Sequence, residues 1–247
     1  MANDMLTSFG RPRRFHNLMS ADPPGTRFPS AGITPGSSVL GIRFDGGILV
    51  SADTLVTYGN LARYQNVDRV IKISDSVLLG GGGDFADIQS IVRTIDQKII
   101  NDHCRDDGAS IKPIALVNWM TRLLYGRRSL KQPLKAEIIV AGIEDGCRPY
   151  LSAVDARGSP FENYVAASGF ARLIAVPLVR ERKPIDRDFS LKEASTLIRD
   201  CMRILYYRDT RSIAQYTVGI CTPDNCSIKG PFKAEENWAI ADYVSGY

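Results

Sequence analysis

A chain of 247 residues, 44% hydrophobic and 23% charged, has the composition of a globular protein and the length to bury a large core without staples. Its 31 basic residues are interspersed with 27 acidic ones for a net charge of +4, which argues against nucleic-acid binding, and the one short basic cluster (Arg127, Arg128, Lys131, Lys135) reads as a solvated loop. No apolar run approaches the roughly 18–20 residues of a membrane helix, no secretory signal is expected at the N-terminus, and the five cysteines form no Cys-x-x-Cys pair, so neither a zinc site nor a disulfide framework is expected.

Residues 1–36 are rich in Pro, Gly, Ser and Arg, carry no sustained period, and read as an extended arm, removed by processing. Regular structure is predicted to begin with a strand over 38–44, a hairpin turn at Asp45-Gly46-Gly47 and a returning strand over 48–53. A second strand pair follows over 69–74 and 77–79, and Gly80 to Gly83 are expected to end it in a tight turn. Asp84 is a candidate N-cap for a helix whose Phe85, Ile88, Ile91, Ile95 and Ile99 recur at three- and four-residue spacing. Pro113 opens a second helix, strands over 137–143 and 149–154 meet across Glu144-Asp145-Gly146, and a third helix is predicted over about 170–180. Ser190 caps a fourth helix, and strands near 215–221 and 226–229 complete the set; Cys221 and Cys226 flank the turn between them and are expected as reduced thiols. Strands grouped in hairpins point to antiparallel sheets, each covered by a pair of amphipathic helices.

The two histidines, His16 and His103, have no nucleophile motif around them, so a Ser-His-Asp or Cys-His arrangement is not expected. The Gly80–Gly83 run lacks the Lys-Ser/Thr of a phosphate-binding loop. A hydroxyl at the head of a strand after a glycine, Gly36-Ser37, remains. Cleavage of that bond would free an α-amine with a pKa of about 7.7–8.0, able to act as general base for its own hydroxyl.

The surroundings of that junction resemble the proteasome β family. Gly36-Ser37-Ser38-Val39-Leu40 leads through Gly46-Gly47 to Ser51-Ala52-Asp53, and the likeness continues in the segments 58–63, 83–87, 167–169, 201–209 and 237–241 with Ser245-Gly246. The Tyr58 segment and the last two stretches look most like the non-catalytic seventh β-type subunit. The resemblance implies an α+β fold, a four-layer αββα sandwich of the N-terminal-nucleophile type, over 37–247. It places the family's nucleophilic threonine at Ser37, its aspartate at Asp53 (53 − 37 = 16), its lysine at Arg69 (69 − 37 = 32) and its supporting residues at Ser168, Asp209 and Ser212.

Several of these positions depart from the catalytic pattern. Ser37 replaces threonine, and Arg69 keeps the lysine's charge but cannot release its proton. Ile213 stands where active members have glycine after the serine. The expectation is a non-catalytic subunit of the 20S core particle, active in ubiquitin-dependent protein degradation in cytoplasm and nucleus. It would have no cofactor or metal, and other α and β subunits of a 28-subunit particle would be its partners. Asp53 and Arg69 would form a buried ion pair, and the tail over 233–247, with Trp238, would grip a neighbour, so that its deletion impairs assembly. The alternative is an active hydrolase with Ser37 as N-terminal nucleophile, which requires cleavage at Gly36-Ser37; a stand-alone peptidase of the same fold fits the long arm and altered site less well.

Overall fold

The computed structural model describes residues 35–36, 38–105, 108 and 110–239. Ser37, His16, most of the arm and residues 240–247 lie outside the described residues.

Two antiparallel sheets form the centre. The larger contains β1 (Pro35–Gly36), β4 (Val56–Tyr58), β5 (Leu61–Tyr64), β6 (Val70–Ser74), β7 (Val77–Asp84), β8 (Ala136–Glu144), β9 (Arg148–Val154) and β10 (Pro160–Glu162). Its order is β10-β9-β8-β7-β1-β4-β5, with β6 also on β7. One edge of β7 is thus divided, Val70–Ser74 pairing with its first half and Pro35–Gly36 with its end. The smaller sheet runs β11-β2-β3-β12-β13, from β2 (Val39–Phe44), β3 (Gly47–Asp53), β11 (Val165–Ser168), β12 (Gln215–Cys221) and β13 (Cys226–Lys233). Helices α1 (Phe85–His103) and α2 (Pro113–Ser129) cover the larger sheet, and α3 (Ala171–Glu181) and α4 (Leu191–Arg208) the smaller.

Strand periodicity explains the layering. Successive side chains of a strand point to opposite faces. In β2, Leu40, Ile42 and Phe44 meet α3 and α4, while Val39 faces the other sheet. In β8, Ala136, Ile138 and Val140 meet α1 and α2, while Ile139, Ala141 and Ile143 join the inter-sheet core. Both faces of the central strands are buried, so their sequences read as apolar runs rather than alternating ones. The outcome is the expected α+β sandwich of four layers, with one apolar core in each of its three seams.

Two local expectations change. The glycines at 80–83 do not end their strand but lie within β7, paired with Ile139, Ile138, Glu137 and Ala136. Close packing explains this: a Cβ on Gly80 would stand 2.7 Å from Val39 Cγ1, and one on Gly81 would stand 2.8 Å from Ile88 Cγ2. The run lets the second sheet and α1 approach β7 from opposite sides. Cys221 and Cys226, expected as free thiols, are joined as a disulfide. They are opposite partners in the β12–β13 register, and Thr222 N–H donating to Asn225 O closes the turn between them.

Capping follows the sequence. The Asp84 carboxylate accepts from Ala86 N–H at the start of α1. Ser190 and Glu193 form a reciprocal capping box on α4, with the Ser190 hydroxyl accepting from Glu193 N–H and the Glu193 carboxylate from Ser190 N–H. The segment after β13 lies along α4: Asn237 N–H donates to Tyr207 Oη, and Tyr206 Oη donates to Glu236. Trp238 is exposed, as expected, and one edge packs against the rings of Tyr206 and Tyr207.

Candidate functional site

The head of β2 is flanked on both sides within its own sheet. Val39 is opposite Ser168, the last residue of β11, and opposite Ala52, next to Asp53 at the end of β3. Arg69 enters from the larger sheet just before β6, and Asp209 follows α4 as its C-cap, its N–H donating to Leu205 O. The topology therefore gathers Asp53, Arg69, Ser168 and Asp209 at one end of the sandwich, all of them buried.

Arg69 is the hub. It is completely buried and forms an ion pair with Asp53, as expected. Its Nε and Nη2 both donate to Gly81 O at 3.3 Å, and Nη2 also donates to Ser38 O at 3.4 Å. The guanidinium lies so close to the arm that a Cβ on Gly36 would stand 2.7 Å from Nε. The charge is thus spent on fixed partners rather than offered to an open cleft.

Electrostatics agree with that reading. Burial pushes the Asp53 carboxyl up to about 6; the Arg69 charge opposes the rise, Asp209 adds to it, and the backbone N–H groups of Leu55 and Ile213 favour the ionised form. Burial likewise lowers the pKa of Arg69, while the charges of Asp53 and Asp209 hold it up. Ionic interactions inside a protein repay desolvation only when the partners are well placed; the Arg69 guanidinium has several, whereas Asp53 Oδ2 has no hydrogen-bond partner among the described residues.

A second hydrogen-bonded chain runs beside the first. The Ser38 hydroxyl donates to Asp209 Oδ2 at 3.3 Å and accepts from Ala171 N–H at 3.0 Å, tying the head of β2 to α3 and to the end of α4. The Ser168 hydroxyl accepts from Val39 N–H at 3.2 Å and is packed against Gly82, where a Cβ would collide with it. Asp209 Oδ1 accepts from Arg211 N–H, and Ser212, half-buried, enters through its main chain by donating to Asp209 O. Ser38 and Gly82 are parts of the site that the sequence did not single out. His103, by contrast, ends α1, exposed and away from this cluster.

Just before the junction, Pro35 and Gly36 form β1, whose partners are β7 (Pro35 with Asp84, Gly36 with Gly83) and β4 (Gly36 with Val56). The chain leading to Ser37 is therefore woven into the larger sheet. The family model for proteasome subunits matches residues 33–221, which include every one of these positions. The chain belongs to the proteasome subunit family. The relatives that follow are β-type. It is 56% identical to proteasome subunit beta type-4 of Drosophila melanogaster, over 93% of this chain and 86% of that one. It is 38% identical to the Xenopus laevis protein of the same name, over 89% and 94% respectively. The yeast Saccharomyces cerevisiae proteasome subunit beta type-7 is 30% identical over 87% of this chain and 84% of its own. As a member of the proteasome subunit family, the chain assembles with other proteasome subunits.

Proposed function

We propose that this chain is a non-catalytic β subunit of a 28-subunit 20S core particle, completing a seven-membered ring and walling the chamber in which other subunits cut peptides in cytoplasm and nucleus. The observation that carries this reading is the strand Pro35–Gly36. It is the only link, among the described strands, between the β4–β5 hairpin and the rest of the larger sheet. Cutting at Gly36-Ser37 would remove that strand, so the fold favours keeping the residues before Ser37. While Gly36 remains attached, the nitrogen of Ser37 is an amide and cannot serve as a base.

The rest of the site supports the same conclusion. A family catalytic lysine has a proton to exchange; the Arg69 guanidinium does not, and its donors are bound to Asp53, Gly81 and Ser38. Exposure of the assembled particle to a peptide electrophile that acylates N-terminal nucleophiles tests the reading. Catalytic subunits should gain the adduct mass and this chain should not; an adduct on Ser37 would establish the serine-hydrolase alternative.

A further inference from the structure

The β4–β5 hairpin is an exposed apolar feature at an edge of the sandwich. All four residues of β5 are exposed, and Tyr58, Leu61 and Tyr64 are 45%, 61% and 44% accessible. Strand β5 ends the sheet order, so one side of its backbone has no strand partner among the described residues. Natural edges are usually blunted by charged side chains, proline or a covering element; in Leu61-Ala62-Arg63-Tyr64 Arg63 is the one charge and there is no proline. The hairpin also depends on the two-residue β1 for its attachment, and a two-stranded hairpin alone is marginally stable in water.

Arg63 specifies the cover. Its guanidinium stands over the ring of Tyr58 at 5.7 Å and over that of Tyr64 at 5.5 Å, held by aromatic faces on the protein side. Among the described residues no carboxylate pairs with it. A planar cation framed by two tyrosines beside an exposed leucine has the composition of an interface anchor, where Tyr and Arg dominate binding. Its fork-shaped N–H edge matches a carboxylate.

We infer that the β4–β5 hairpin is a subunit-docking surface, in which Arg63, framed by Tyr58 and Tyr64, receives a carboxylate of another proteasome subunit while Leu61 enters an apolar depression beside it. The inference rests on the reading of the chain as a ring subunit. The test uses the tagged full-length chain co-expressed with the remaining subunits of a 20S particle, as wild type, Arg63→Glu, Arg63→Lys and Leu61→Lys. The chain recovered in sedimented particles is quantified against free chain.

Incorporation should fall at least about tenfold for Arg63→Glu and for Leu61→Lys, and less for Arg63→Lys, which keeps charge without the fork. The free variants should melt at the wild-type midpoint, and Leu61→Lys keeps the test decisive if Arg63→Glu disturbs the hairpin itself. Undiminished incorporation of both charge-altering variants overturns the inference and leaves the ring-subunit reading standing. A wild-type chain that stays out of the particle overturns both. Self-association of the free wild-type chain, lost in the variants, would assign the hairpin to a second copy and also overturn the proposal.

Discussion

Arg69 shows how one substitution can turn a reactive position into a structural one. A lysine ammonium is a compact charge that can lose its proton, whereas the guanidinium is a permanent, planar, five-donor fork. Here the fork spans Asp53, Gly81 and Ser38 and leaves no room for a side chain at residue 36. Removing it by Arg69→Met strands the buried Asp53, which should cost about 3–5 kcal/mol at neutral pH. The pH dependence has a definite sign. The folded carboxyl titrates near 6 against an ordinary 3.8, so the folded state holds the proton more tightly and Asp53 opposes folding increasingly as pH rises through that window. Without the Arg69 charge the folded pKa climbs further, so the deficit of the variant should be larger at pH 8 than at pH 5. Denaturant unfolding at the two pH values measures it, and an equal deficit at both would show that lost packing, not charge, is what Arg69 supplies. The family resemblance, counted from Ser37, picked out Asp53 and Arg69 in the sequence. Ser38 was not legible, because its partner Asp209 lies 171 positions away and nothing local marks the bond.

Elements with a strong period or a cap were legible; those made by packing were not. The four described helices start at or next to the residues their caps and apolar stripes indicate, and Ser190 is the clearest case. Replacing it by alanine removes its half of the capping box and should destabilise the protein by about 1 kcal/mol, read from the shift in denaturant midpoint at unchanged slope. A loss below a few tenths would mean that the Arg187–Glu193 ion pair holds the start of α4 unaided. The Gly80–Gly83 run illustrates the opposite case. Glycine suggests a turn when read locally, yet these residues lie in a central strand because side chains of β2, β3 and α1 occupy the space a Cβ would need. The short strands β4, β5, β10 and β11 had no clear alternation of their own, and tertiary pairing defines them. The disulfide was likewise hidden: cysteine count spoke for free thiols, and only the hairpin register brings Cys221 and Cys226 face to face.

At the scale of the molecule, the αββα layering followed from grouped hairpins and paired amphipathic helices, and three apolar seams account for nearly all buried apolar side chains of the described residues. What the sequence alone left open was the role of the residues before Ser37. Composition marked 1–36 as a single extended arm, whereas Pro35 and Gly36 belong to the body of the larger sheet. This joins the chemistry to the architecture, since the strand that attaches the β4–β5 hairpin is the same stretch whose removal would create a catalytic amine. The most direct measurement is the intact mass of this chain isolated from assembled particles. A mature N-terminus at or before Pro35 is the predicted result; a chain beginning at Ser37 would contradict the account.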